Sequence, residues 1–288
     1  MKEPKGTLIP IGGNEDKGNE VSEIYNLEFI SEGILFHVVQ ESGGVEGLFV
    51  VIPTASSIPD EVGENYLAAF KKLGCENVQV LDIRSKEDAE LSENLDLIKE
   101  ANCIMFSGGD QSKITDAVEG TVMHEVLMDR YMDDDGFVIA GTSAGAMAMS
   151  KEMIAGGSAK DSFIKGAVRM YYGLGLLPDI MFDTHFIQRG RFGRVSEAVA
   201  IHPDLLGIGL AENTGLVIKR GNQMEVIGSG MAIIFDGSKL VENNHKNLEE
   251  DTPLTLTNMC VHVLSMGDIF LLNERKTIAV ALRPQTLD

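Results

Sequence analysis

The sequence predicts an α/β fold: a mainly parallel sheet flanked by helices and finished by antiparallel strands. Three observations carry this expectation. Short apolar runs alternate with longer mixed stretches through the first half of the chain. The mixed stretches place apolar residues at helical spacing. In the second half, extended runs follow one another across turn residues, the pattern of antiparallel strands.

Residues 7–11, 47–53, 78–83, 103–106 and 137–140 read as strands buried on both faces. Between them, residues 60–73, 87–101 and 114–132 read as helices. Leu91, Leu95 and Ile98 make one such apolar face, with Asp88 near its start. Strand–helix–strand order implies parallel pairing through right-handed crossovers. Later, residues 216–219 and 224–227 flank Arg220-Gly221-Asn222-Gln223, a hairpin signal. Residues 231–235 form another strand, closed by the turn Asp236-Gly237. Residues 254–264 and 277–282 look extended, and the polar stretch 242–252 reads as a loop. No repeat or linker is visible. The expectation is one domain over 1–288, with a core over about 5–235 and β additions over about 236–288.

The chain has 288 residues, 44% of them apolar, enough to bury a core without staples. Lys and Arg total 24 against 44 Asp and Glu, a formal net charge of −20. This disfavours a nucleic-acid partner, whose capture relies on basic side chains. It also disfavours an anionic membrane surface. The first residues carry no apolar signal core, and no stretch is long and apolar enough to span a bilayer. A cytoplasmic location is therefore expected. Cys75, Cys103 and Cys260 are too sparse for a disulfide framework or a CxxC metal site. No metal or organic cofactor is expected.

Open α/β sheets bind ligands at the carboxyl ends of their strands. The sharpest such end is Phe137-Val138-Ile139-Ala140 followed by Gly141-Thr142-Ser143-Ala144-Gly145. A serine nucleophile needs this shape, because a tight strand-to-helix turn projects its hydroxyl. The amide of Ala144 can then help to bind an oxyanion. In a chain with 31 glycines the bare pattern arises by chance about 0.2 times, so its position after a strand carries the argument. The competing reading is a glycine turn with a capping serine. A second strand end, Ser107-Gly108-Gly109-Asp110-Gln111, offers backbone N–H groups to a developing charge, or an Asp110 helix cap. Gly12-Gly13-Asn14-Glu15-Asp16 has a similar shape. Neither segment has the spacing of a phosphate loop.

A serine needs a base. Of the six histidines, His185 alone follows a strand-like run into a polar cluster, Asp183-Thr184-His185-Phe186. Its orienting carboxylate is either Asp183, on the same face of an extended chain, or Glu212, at the end of the apolar run 207–211. Spacing leaves both open. Beyond His185, Arg189, Arg191 and Arg194 fall within Gln188-Arg189-Gly190-Arg191-Phe192-Gly193-Arg194. Guanidinium groups grip carboxylates in bidentate fashion, so the cluster suits anion recognition or a structural lock on nearby acids.

These motifs, in this order and together with Glu212-Asn213-Thr214, resemble the serine peptidase family that contains cyanophycinase and dipeptidase E. The resemblance runs from about residue 7 to about 235. It implies a fold like that of class I glutamine amidotransferases, with serine where those enzymes use cysteine. It implies Ser143 as nucleophile, His185 as base and Glu212 as orienter. The Gly109 and Ala144 amides would form the oxyanion hole. Gln111, Asp183, Arg189, Arg191 and Arg194 would line the substrate pocket, with the arginines on carboxylates and Asp183 on a guanidinium. The implied substrate is cyanophycin, a poly-aspartate with arginine on each side chain, and the product is the β-aspartyl-arginine dipeptide. A homodimer is implied as well. Thr184 stands where the family commonly has Gln. A β-aspartyl or N-terminal-aspartyl peptidase is thus the first alternative, and a non-catalytic binding protein on the same fold the second.

Overall fold

A computed structural model describes residues 2–18, 27–158 and 161–278. In its first half, β1 (Thr7–Ile11) is followed by α1 (Phe29–Glu32), α2 (Ile34–Glu41), β2 (Phe49–Ile52), α3 (Pro59–Lys72) and β3 (Val78–Val80). Then come α4 (Ser92–Glu100), β4 (Cys103–Phe106), α5 (Gln111–Val118), α6 (Val122–Asp133), β5 (Val138–Thr142) and α7 (Ala144–Ala148). The second half contains β6 (Glu152–Gly157), β7 (Val168–Tyr172), β8 (Ile180–Asp183), α8 (Phe192–Ile201) and β9 (Leu206–Leu210). It ends with β10 (Thr214–Lys219), β11 (Gln223–Gly228), β12 (Met231–Asp236), β13 (Cys260–Ser265), β14 (Ile269–Leu271) and β15 (Lys276–Ile278).

The main sheet runs β15-β14-β11-β10-β1-β5-β4-β2-β3. Strands β1, β5, β4, β2 and β3 are parallel, as the strand–helix alternation predicts. β10 joins β1 antiparallel and begins the antiparallel flank. A second sheet, β13-β12-β9-β8, contains one further parallel pair, β8 with β9. β6 and β7 form a separate hairpin.

Alternation along each central strand feeds two apolar layers. Ile9, Phe49, Val51, Met105 and Ala140 face α2 and α3, against Leu35, Val38, Tyr66 and Phe70. Leu8, Val50, Ile104, Phe106 and Ile139 face the other way. There α4 to α7 and the second sheet close over them, with Phe182, Phe186 and Ile208 in the same apolar mass.

Several expectations are corrected. β3 is the edge strand of the main sheet and is largely exposed, so it is not buried on both faces. Stretch 114–132 is two helices, with α5 beginning at Gln111. Between them, Gly120 has φ +72° and the Thr121 hydroxyl caps α6 by accepting the His124 N–H. Stretch 87–101 is a 3-10 turn followed by α4. Leu95 and Ile98 are buried, but Leu91 precedes the helix and is exposed. In 254–264 only Cys260–Ser265 is strand, and of 277–282 the part beyond residue 278 lies outside the described residues. The hairpin read at 216–227 is β10 with β11, and β10 pairs antiparallel with β1. Among the described residues, no helix is long and apolar enough to cross a membrane.

Candidate active site

Five parallel strands from two sheets end at one place. β1, β4 and β5 lead into Gly12-Gly13, Gly108-Gly109 and Ser143; β8 and β9 lead into His185 and Glu212. Ser143 sits on the turn between β5 and α7 at φ 50°, ψ −107°. A non-glycine residue held there stores roughly 1–3 kcal/mol of strain, which surrounding contacts must outweigh. The flanking glycines are sterically required. A Cβ on Gly141 would lie 2.6 Å from the Gly145 carbonyl carbon, and one on Gly145 would lie 2.6 Å from the Phe106 oxygen.

Three consecutive carbonyls at the exit of β1 bind the site together. The Ser143 N–H donates to Ile11 O (2.8 Å), the His185 N–H to Gly12 O (2.8 Å), and the Asn213 N–H to Gly13 O (2.9 Å). Asn14, Ser143, His185 and Asn213 all have positive φ, close to 50°. Gly13 (φ +99°) lies flat beneath the imidazole, where a Cβ would come within 2.5 Å of the ring.

His185 Nε2 lies 3.1 Å from Ser143 Oγ, and His185 Nδ1 lies 2.6 Å from Glu212 Oε1. With Nδ1–H donating to the carboxylate, Nε2 is left to accept the serine proton. Glu212 Oε2 accepts from Asn14 Nδ2 at 3.1 Å, and Gln188 Oε1 accepts the Glu212 N–H at 3.2 Å. Of the two carboxylates left open by spacing, Glu212 is therefore the one at the ring. Among the described residues, neither the Gly109 nor the Ala144 amide donates to a backbone carbonyl. Gly109 lines the same hollow as Ser143, and Ala144 follows the serine directly.

Asp183 is fully buried and committed elsewhere. It accepts Arg194 Nε at 2.7 Å, Arg194 Nη2, Arg191 Nη1 at 2.9 Å and the Thr184 N–H at 2.8 Å. Arg194 is buried in this pairing; Arg191 is half-buried and also donates to Thr184 O. Burial pushes the Arg191 pKa down, only partly countered by Asp183, while Arg194 and Arg189 lower it further. Arg189 is exposed and makes no side-chain hydrogen bond or ion pair among the described residues. Gln111 donates its amide to Ile154 O and Ala155 O, both at 2.9 Å, fastening α5 to the β6–β7 hairpin. Asp110 caps α5 by accepting the Ser112 N–H. Arg191 and Arg194 thus form the lock on an acid that the sequence also allowed, and Asp183 meets the chain's own guanidinium groups.

The other five histidines lie elsewhere; His124, for example, contacts Leu174 O. One element of the site is only faintly signalled in the sequence. Glu15, nearly fully buried, accepts Thr142 Oγ1 (2.5 Å), Tyr66 OH (2.5 Å) and Lys17 Nζ (2.7 Å). Burial works to raise its pKa, but Lys17 and the three hydrogen bonds outweigh burial and hold it below the usual value. Its only signal in the sequence is its place after a glycine pair at a strand end.

Two hollows flank the serine, of about 420 and 380 Å³, and share Gly109, Ser143 and Arg189. The profile of Peptidase family S51 matches residues 33–227. The chain belongs to this family.

This S51 peptidase is 34% identical to the cyanophycinase of Trichormus variabilis, over 98% of the chain and 92% of the relative. It is 33% identical to that of Geminocystis herdmanii, over 95% of each. Among solved structures, a peptidase from an acI-B1 Actinobacterium matches with a TM-score of 0.64 and 22% identity, over 94% of this chain and 99% of the other. A putative peptidase E protein of Listeria monocytogenes matches with a TM-score of 0.50 and 17% identity, over 77% and 98%. These structural likenesses speak to the fold, which is that of the S51 peptidases. The chain is a serine-type peptidase.

Proposed function

We propose that this peptidase cleaves cyanophycin to β-Asp-Arg dipeptides through a Ser143–His185–Glu212 triad and an acyl-enzyme. The observation that carries the reading is the serine–imidazole–carboxylate relay, with contacts of 3.1 and 2.6 Å, in a chain 34% identical to a cyanophycinase. His185 Nε2 takes the Ser143 proton as Oγ attacks an aspartyl carbonyl. The Gly109 and Ala144 amides hold the oxyanion. His185 then protonates the leaving amine, and a water deprotonated by His185 releases the acyl group. Glu212 fixes the tautomer and stabilises the imidazolium. Arg189, together with the accessible edge of Arg191, takes substrate carboxylates. Asp183, Arg194 and Gln111 keep the pocket wall in shape.

The test is purified enzyme on cyanophycin granules and on β-Asp-Arg oligomers, with products separated by chromatography. Wild type should release dipeptide, and Ser143→Ala should lose at least about 10³-fold in kcat/KM. Undiminished release by the variant removes the nucleophile assignment.

A second reading, a β-aspartyl or N-terminal-aspartyl peptidase, draws support from Thr184. Its buried hydroxyl turns to Met147 Sδ at 3.5 Å, so it offers substrate less than a longer amide would. Faster turnover of N-terminal-Asp dipeptides than of cyanophycin would select it. The proposal also carries a cytoplasmic homodimer, checked by light scattering in solution and by cell fractionation.

A further inference from the structure

We propose that a third hollow, beyond the β6–β7 hairpin, is an outlying subsite for one zwitterionic unit of an extended substrate. In it Arg169 takes a carboxylate, and Asp161 and Asp251 take a guanidinium. The proposal rests on the cyanophycin reading above.

The hollow has about 610 Å³ and shares Gly157 and Arg169 with the 380 Å³ hollow beside Ser143. A trough therefore leads from the nucleophile past Arg169 to the two aspartates. Arg169 lies across its floor, where a Cβ on Gly156 would come within 2.7 Å of the guanidinium. Arg169, Asp161 and Asp251 are all exposed. None of their side chains has a hydrogen bond or ion pair among the described residues, so their charges are available to a ligand.

The wall is built to hold its shape. Glu197, almost fully buried, accepts the Gly166 N–H at 2.6 Å and the Val168 N–H at 2.9 Å. The Lys165 N–H donates to Thr252 O, the Asp251 N–H to Lys165 O and the Leu254 N–H to Phe163 O. The two segments that carry Asp161 and Asp251 thus form one framework, anchored to α8 through Glu197. A preorganised wall spends little ordering entropy on binding.

The order of charges selects the ligand. A polyanion entering the trough is attracted at Arg169 and repelled by two carboxylates beyond it. A polycation meets Arg189 and Arg169, with Asp110 the one exposed acid beside them, before it reaches the two aspartates. A repeating unit with one carboxylate and one guanidinium satisfies both ends at once.

The experiment compares β-Asp-Arg oligomers of two and four units as substrates of the wild type, Asp161→Asn/Asp251→Asn and Arg169→Gln. Asn suits position 251, where φ is 61°. The ratio of kcat/KM for four units to that for two should exceed one in the wild type and fall roughly tenfold in the variants. Added salt should shrink the wild-type ratio. A wild-type ratio of one, or a ratio the variants leave unchanged, overturns the subsite while the cyanophycin reading stands. Wild type that cleaves neither oligomer overturns the cyanophycin reading and the subsite with it.

Discussion

The Thr142 hydroxyl donates to the Glu15 carboxylate at 2.5 Å, mooring the residue before Ser143 to a different loop. Glu15 also gathers Tyr66 and Lys17, so one buried anion joins β1, α3 and the serine turn. Glu15→Ala should lower stability by about 3 kcal/mol, since it strands partners in a buried site. It should lower kcat more than it raises KM, because the elbow loses its mooring. The Glu15 carboxyl is held below its ordinary pKa. Its stabilisation is therefore complete above the unfolded value of about 4.3 and is lost as pH falls through the lower folded value. Urea titrations at pH 7 and below pH 4 should show a smaller loss for Glu15→Gln than for wild type.

Gly13→Ala tests the seat of the imidazole. A methyl group 2.5 Å from the His185 ring, on backbone with φ +99°, must push the ring off Ser143. A shift of this kind costs about 10²-fold in kcat. Covalent labelling of Ser143 by a serine-directed reagent should slow in parallel. Labelling at the wild-type rate would show that the ring tolerates the methyl.

The arginine stretch should divide by function. Asp183→Ala leaves Arg194 buried without its carboxylate, a loss of roughly 3–5 kcal/mol and of about 10 °C in Tm. Arg189→Ala touches no internal partner, so Tm should stay within about 1 °C. Its KM should rise about tenfold through loss of a charge-assisted contact. Calorimetry and steady-state kinetics on the same preparations separate the two.

The cysteines should react in two classes. Burial pushes the thiols of Cys75 and Cys103 up, to about 11 and about 12. Cys260 is only half-buried. One equivalent of a thiol reagent should react with the native protein at pH 8, and three after denaturation. The buried thiols keep their protons while unfolded ones ionise near 8.5, so stability should fall as pH rises above that value.

The parallel half of the fold is legible in the sequence because central strands must be apolar on both faces, and the helices between them must show a 3.6-residue period. The same apolar signature does not reveal that Val78–Val80 lies at an edge, since neighbours rather than residues decide exposure. The hairpin of Glu152–Gly157 and Val168–Tyr172 carries too many glycines and exposed residues to announce itself. At the site, the serine turn and His185 stand out as polar ends of apolar runs. Three-dimensional register separates Asp183 from Glu212. Asp183, opposite Gly209 in the β8–β9 pair, turns into the arginine lock, while Glu212 clears the end of β9 and reaches the ring. The role of Glu15 is not legible because its burial comes from tertiary contacts with Tyr66 and Thr142.

The carbonyls of Ile11, Gly12 and Gly13 carry a consequence for mutational mapping. They hold the backbone at Ser143, His185 and Asn213, and every one of these bonds joins main chain to main chain. An alanine scan removes none of them; at Gly12 and Gly13 it would read only the clash of a new methyl group with Ala211 O and with the His185 ring. Only an edit of the peptide linkage itself, such as an amide-to-ester exchange at residue 185, addresses what keeps the three groups in line.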